Sequence, residues 1–226
     1  MGMKPLRDYS GERLLRYERY LRHLGFRWIT GVDEAGRGPL AGPVVAAAVI
    51  LPAGVRIDGL RDSKLLTPRQ RDELYDEIRR LAHAVGVGIV GPRTIDRVNI
   101  RQASFLAMRR ALARLGVTPQ LVLVDGDPIP LLPFPERAFV RADRRIAAVA
   151  AASVVAKVTR DRIMDRLDRA FPAYRFAEHK GYPTPEHLAA LATFGPSPVH
   201  RLSYAPCRAA ALQNRFDFPA TRGSRA

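Results

Sequence analysis

Asp33 and Glu34 stand side by side in the stretch Gly31-Val32-Asp33-Glu34-Ala35-Gly36-Arg37-Gly38-Pro39. Paired carboxylates with a glycine-rich loop directly behind them suit a site that holds cations. Two further aspartates fall where such a site could collect them. Asp125 ends a predicted strand, on the usual ligand side of an α/β sheet, and Asp143 stands just before a long alanine-rich helix. Each has an ordinary alternative: a core hydrogen bond at Asp33, a turn at Asp125-Gly126, a helix N-cap at Asp143. Gathered together they imply different chemistry. Two unit charges ~4 Å apart repel by about 4 kcal/mol at an effective dielectric near 20. Three or four converging carboxylates therefore stay ionised only with cations bound. Oxygen ligands select Mg²⁺ or Mn²⁺, and the five scattered histidines and single cysteine offer no zinc cluster. Two such ions about 3.5–4 Å apart can activate a water and steady the leaving oxygen in phosphodiester cleavage. One geometric condition applies. Successive strand residues face opposite sides, so Asp33 and Glu34 share a site only if the strand ends there or the longer glutamate wraps round, a bend glycine permits.

The loop is not a dinucleotide-binding turn. Gly36, Gly38 and Gly42 have the wrong spacing, and Pro43 and another strand follow where a helix would have to open. The elements that must position the carboxylates read as follows. Gly11–Leu24 is an amphipathic helix, Trp28–Asp33 a strand, and the β-branched and alanine run Val44–Leu51 a strand buried on both faces. Thr67-Pro68 opens a helix to Leu81. Strands at Ala84–Val90, Leu121–Val124 and Arg137–Arg141 alternate with helices at Ile100–Leu115, after Asp143 as far as Pro172, and from Thr184 to Thr193. The class is α/β, with part of the sheet antiparallel because the early strands are joined by tight turns.

The chain has 226 residues, 47% of them apolar, enough for one core. No apolar run reaches the ~18 residues of a membrane helix, and Met1–Glu12 lacks the apolar centre of a secretory signal. With Cys207 alone no internal disulfide forms. These features are those of a soluble cytoplasmic protein; oligomeric state is not set by them, and a monomer is the expectation. Lysine and arginine outnumber acidic residues 37 to 22, a formal charge of +15, which suits a polyanionic partner. Arginine's dominance among the basic residues also fits a genome-wide bias, which leaves the excess over acid unexplained.

Five stretches carry a specific resemblance: Gly31–Pro43, Asp62-Ser63-Lys64, Val124-Asp125-Gly126, Ala151–Asp161 and His179-Lys180-Gly181-Tyr182-Pro183-Thr184. In this order they resemble the motifs of the type 2 ribonucleases H, most closely the bacterial ribonuclease HII family. The ~27 residues before the first strand are shorter than the extra N-terminal domain of ribonuclease HIII. The resemblance implies a ribonuclease H-like fold: a mixed five-stranded sheet flanked by helices, with a helical C-terminal part. On this reading 1–27 form a helical extension, 28–208 the catalytic domain and 209–226 a tail. It implies four metal-binding, catalytic carboxylates at Asp33, Glu34, Asp125 and Asp143, holding two Mg²⁺ or Mn²⁺ ions. Asp143 follows Ala142, where the family commonly has glycine. Gly36-Arg37-Gly38 matches the family's sensor of the ribose 2′-hydroxyl, the group that distinguishes RNA from DNA, and Tyr182 the tyrosine that packs on the sugar. Ser63, Lys64 and Lys180 are candidate phosphate contacts. The implied substrates are RNA–DNA hybrids and duplex DNA carrying single ribonucleotides, cut to 3′-hydroxyl and 5′-phosphate ends in ribonucleotide and primer removal. A hybrid-binding protein without catalysis and a resolvase- or transposase-like nuclease are the competing readings. The first is opposed by four filled acidic positions, the second by the Gly-Arg-Gly sensor. Finally, Gln213–Phe218 loosely resembles peptides that dock in bacterial sliding clamps, with an ordinary tail as the alternative.

Overall fold

The computed structural model describes residues 11–60 and 66–216. The Asp62-Ser63-Lys64 stretch lies outside the described residues, as does the end of the clamp-like peptide. Five strands form one sheet: β1 (Ile29–Ala35), β2 (Val44–Ile50), β3 (Ala84–Val90), β4 (Leu121–Asp125) and β5 (Glu136–Phe139), in the order β3-β2-β1-β4-β5. β2 pairs antiparallel with β1 and β3, whereas β4 runs parallel to β1 and β5. The mixed five-stranded sheet is therefore as expected. β1 outlasts its expected end at Asp33 because Glu34 and Ala35 still pair with Ala46 and Val45. β5 stops short of Arg141, which adopts a left-handed conformation at φ 58°.

Eight helices surround the sheet among the described residues: α1 (Gly11–His23), α2 (Pro68–Leu81), α3 (Pro92–Val98), α4 (Ile100–Ala113), α5 (Ala147–Ala170), α6 (Phe176–His179), α7 (Pro185–Phe194) and α8 (Ala205–Phe216). None is long and apolar enough to cross a membrane. Thr67 caps α2 with Pro68 in its first turn, as the Thr-Pro signal predicts, and Gln70 completes a capping box. α3, opened by Pro92 after Gly91, has no counterpart among the expected elements. α8 runs through the boundary placed at 208/209, since Cys207 and Ala210 pack with Leu40 and Leu191.

Strand alternation divides the core in two. Val32, Ala46, Ala48, Val122 and Val124 pack with α4, while Ala47 and Val49 pack with α2 and α5, and Leu121 and Leu123 meet Ile146 and Val149. The alanines of α5 bring that helix very close to β1. A Cβ on Gly31 would lie 2.1 Å from the Ala148 carbonyl carbon, so only glycine fits. No side chain caps α5 locally, its N-cap being Ile146. Buried Glu18 of α1 does so from a distance, accepting from Ala148 N at 2.8 Å.

The C-terminal helices are pinned by two buried histidines, His187 and His200. Ser197 N donates to His200 Nδ1 (3.0 Å), which puts the His200 proton on Nε2. His200 Nε2 then donates to His187 Nε2 (3.0 Å), and His187 Nδ1 donates to the Tyr182 carbonyl (2.8 Å). The chain works only with both imidazoles neutral. Burial, then the neighbouring His187, pulls His200 down to about 4.

Two outcomes follow from this packing. Gly31→Ala will cost about 3 kcal/mol or more in denaturant unfolding, because backbone rather than a movable side chain blocks the methyl group. Acidification will unfold the wild type by another route. His200 takes up a proton near pH 6.5 when unfolded but only near 4 when folded, so its stabilising effect is complete above ~6.5 and fades toward pH 4, by up to about 3 kcal/mol. In His200→Gln the melting temperature will be lower at pH 8 and change less over that acid range.

Candidate active site

Asp33 and Asp125 extend from neighbouring parallel strands, one step beyond the Val32–Val124 pair, on the sheet face that α5 covers. Asp143 lies on a 3₁₀ turn, Ala142–Arg144, ahead of α5, and so is not that helix's N-cap. The same turn is tied to β4, since Ala142 N donates to Asp125 Oδ1 at 2.6 Å. Oxygens of Asp33, Asp125 and Asp143 come within 4.8 Å of one another. Asp33 and Asp143 are buried, at 6% and 3% exposure.

Burial raises the Asp33 carboxyl well above the usual carboxylate range. The charges of Glu34 and Asp125 raise it further, against hydrogen bonds from Ser153 and the Glu34 amide. A buried all-oxygen cluster that resists ionisation suits hard divalent ions, whose charge offsets both the burial and the mutual repulsion. The donor set therefore fits Mg²⁺ or Mn²⁺.

Glu34 is placed differently. Because β1 continues to Ala35, strand alternation turns Glu34 toward the α4 face, into a small cavity shared with Asp125, Arg101 and Asp127. Its Oε1 accepts from Arg37 Nη1 at 3.2 Å. Burial raises the Glu34 carboxyl, Arg37 lowers it and Asp125 raises it. It is thus an electrostatic neighbour of the aspartate cluster, standing beside the three that converge.

The loop behind β1 is held from inside by two arginines. Arg201, fully buried, donates to the carbonyls of Gly36 (2.6 Å), Arg37 (3.0 Å) and Gly42 (3.0 Å). Arg160 of α5, 1% exposed, donates to Pro43 O, Ala41 O and Lys180 O at 3.0–3.1 Å. It thereby joins the Gly36–Gly42 loop to the Lys180-Gly181-Tyr182 segment. Gly36 has φ +97°, and a Cβ there would lie 2.1 Å from Arg160 Nε. At Gly38 a Cβ would lie 3.5 Å from the ring of Tyr182, which is 41% exposed. The two stretches singled out in sequence, Gly36-Arg37-Gly38 and Tyr182, therefore meet at the surface. Lys180 pairs with Asp165 beside them.

Arg160 and Ser153 have no place in the site as read from sequence, although both fall within the Ala151–Asp161 stretch, and Arg201, His187 and His200 are not singled out there. Arg160 lies within a motif that could have suggested its position. Arg201 carries no local signal, since its partners are loop carbonyls up to 165 residues away, and the histidines are joined to each other and to the Tyr182 carbonyl only by the fold.

Comparison with known proteins agrees with this geometry. The family model described as ribonuclease HII matches residues 30–207. The ribonuclease HII of Geobacillus kaustophilus is 52% identical over 87% of this chain and 75% of its own length. The crystal structure of ribonuclease H2 from Pyrococcus horikoshii OT3 superposes with TM-score 0.71 at 29% identity, covering 83% of this chain and 98% of that one. The ribonuclease HII of Archaeoglobus fulgidus, solved in complex with PCNA, gives TM-score 0.63 at 28% identity, over 77% of this chain and 92% of that one. The chain belongs to the ribonuclease HII family and is a nuclease of the ribonuclease H type.

Proposed function

We propose that this chain cuts RNA–DNA hybrids and nicks duplex DNA on the 5′ side of single embedded ribonucleotides. Hydrolysis there breaks the P–O3′ bond, leaving a 3′-hydroxyl on the upstream nucleotide and a 5′-phosphate on the ribonucleotide. The observation that carries the reading is the convergence of Asp33, Asp125 and Asp143 beside the loop that Arg201 and Arg160 hold. These three, with Glu34 alongside, would hold two Mg²⁺ or Mn²⁺ ions. When bound, the pair supplies an activated water and charge stabilisation for the leaving oxygen.

The remaining tasks fall to the chain's own groups. Ser153 and the Glu34 amide orient the Asp33 carboxylate, and the Ala142 amide orients that of Asp125. Gly36 and Gly38 leave room for the ribose to approach the loop backbone, where a hydrogen bond to the 2′-hydroxyl selects RNA. A site built around a substrate hydroxyl rejects the analogue lacking it by ~10⁴–10⁵. Tyr182 offers an exposed ring beside Gly38 for the sugar face. Lys180, with Ser63 and Lys64, is assigned to backbone phosphates. The roles extend to ribonucleotide and primer removal in cells. The Archaeoglobus complex with PCNA favours a clamp contact here too, through Gln213–Phe218, and deleting residues 213–226 should then abolish clamp binding.

The decisive assay uses duplex DNA with one ribonucleotide. Nicking should require Mg²⁺ or Mn²⁺, and absence of a metal-dependent nick would end the reading. Loss of an outer partner of a metal ligand alone costs 10–100-fold, so Asp125→Asn should lose more than about a hundredfold. In metal-free buffer Asp33→Asn should melt at a higher temperature than wild type, and its melting temperature should respond little to added Mn²⁺. Arg201→Lys keeps the charge but not the fork that reaches three carbonyls. It should cut nicking about 10²-fold through misplacement of the loop, while the Mn²⁺-induced rise in melting temperature survives.

A further inference from the structure

Near the β5 edge of the sheet, α1, β5 and the turn before α5 enclose a cleft of about 460 Å³ lined by Arg16, Tyr17, Tyr20, Phe139, Arg145 and Ile146. Its size is in the ~300–1,000 Å³ range of small-ligand sites. The aromatic part is organised. Tyr17 stands edge-on to Phe139, with ring centroids 5.5 Å apart, and its hydroxyl accepts from Arg137 at 2.8 Å. Tyr20 lies 6.4 Å from Tyr17 and is 54% exposed, leaving much of its ring uncovered.

The charges lining the cleft are basic. Some exposed arginines are tied to carboxylates, Arg69 to Glu73, Arg101 to Asp127, Arg162 to Asp72 and Arg175 to Glu178. Arg16 and Arg145 are exposed at the cleft, and among the described residues no ion pair to a carboxylate holds either of them. Rings for stacking, interleaved with guanidinium groups, are the chemistry that holds single-stranded nucleic acid. A paired base has both faces covered by its neighbours, so the rings select an unstacked nucleotide.

The cleft also adjoins the reaction centre. Phe139 pairs with Asp125 in the β4–β5 register, and its carbonyl accepts from Gly126 N at 3.0 Å. Arg145 lies two residues beyond Asp143. We propose that this cleft is a single-strand subsite, which takes one unstacked nucleotide of a strand passing the carboxylates, its base against Tyr20 and Tyr17 and its phosphates on Arg16 and Arg145. The choice of nucleic acid as occupant rests on the nuclease reading above; the cleft itself is separate from the metal and ribose sites. Substrates frayed, gapped or flapped near the cut would gain a contact that a continuous duplex lacks.

The test uses the full chain, without metal, and an oligothymidylate about eight nucleotides long carrying one 5-iodouracil. Irradiation should crosslink Tyr17, Tyr20 or Phe139, and crosslinks confined to Tyr182 or other surfaces would overturn the proposal. In fluorescence anisotropy, Tyr20→Leu should weaken binding of the same strand roughly tenfold, and Arg16→Gln should lower the salt slope by about one. Unchanged affinity and slope would overturn it as well. The same preparation is assayed for nicking at an embedded ribonucleotide. A protein that nicks but does not crosslink in the cleft refutes the subsite alone, and one that crosslinks there but never nicks refutes the nuclease reading alone.

Discussion

Repulsion among buried carboxylates is the constraint around which this molecule is built. Asp33 resists ionisation because it is buried and because Glu34 and Asp125 are close by. Left to relax, such groups would move apart or stay protonated. The surrounding structure prevents the first outcome. Asp33 and Asp125 are fixed by strand pairing, and the turn carrying Asp143 is tied to Asp125 through the Ala142 amide. The start of α5 is set by Glu18 from one side and by the contact with Gly31 from the other. The price is stability, the usual exchange at a site whose residues serve chemistry rather than folding.

The Gly36–Gly42 loop obeys a different logic, in which neutral backbone is held by buried cations. Arg201 and Arg160 each take three loop carbonyls. A planar fork is suited to this, since its donors have fixed directions and need not search for partners. The neutral histidine chain ending on the Tyr182 carbonyl continues the same support from the other side. The carbonyls of Gly36, Arg37, Lys180 and Tyr182 are thus held by side chains packed beneath them. Such a loop is formed before substrate arrives, which lowers the ordering cost of binding.

Much of this could be read in the linear chain. The all-buried run of β2, the Thr67 cap and the alanine pattern of α5 are local signals, and each produced the expected element. The placement of Asp33, Asp125 and Asp143 was legible because strand ends and helix starts gather at one edge of an α/β sheet. Glu34 was the harder residue. Whether it joins the aspartates depends on where β1 stops, and that is decided by pairing with Ala46, not by the Asp-Glu sequence itself. Arg201, His187 and His200 were illegible for a similar reason. Their meaning comes from carbonyls and rings brought together only by the fold, and a carbonyl has no signature in sequence.

The charge distribution then acquires a functional sense. A formal charge of +15 draws a polyanion toward the whole surface, yet the reacting phosphate must approach a patch of carboxylates that repels it. Attraction at long range and repulsion at the centre are compatible only if the sign of the centre can be changed. Divalent cations do that locally, without altering the arginine-rich surface. Binding and cutting are therefore physically separable: the arginines can collect nucleic acid without metal, whereas a phosphate can settle among Asp33, Asp125 and Asp143 only after their charge is offset. If the proposed subsite holds, Arg16 and Arg145 at the β5 edge serve the first of these functions and gain most where an unstacked strand gives the neighbouring rings something to hold.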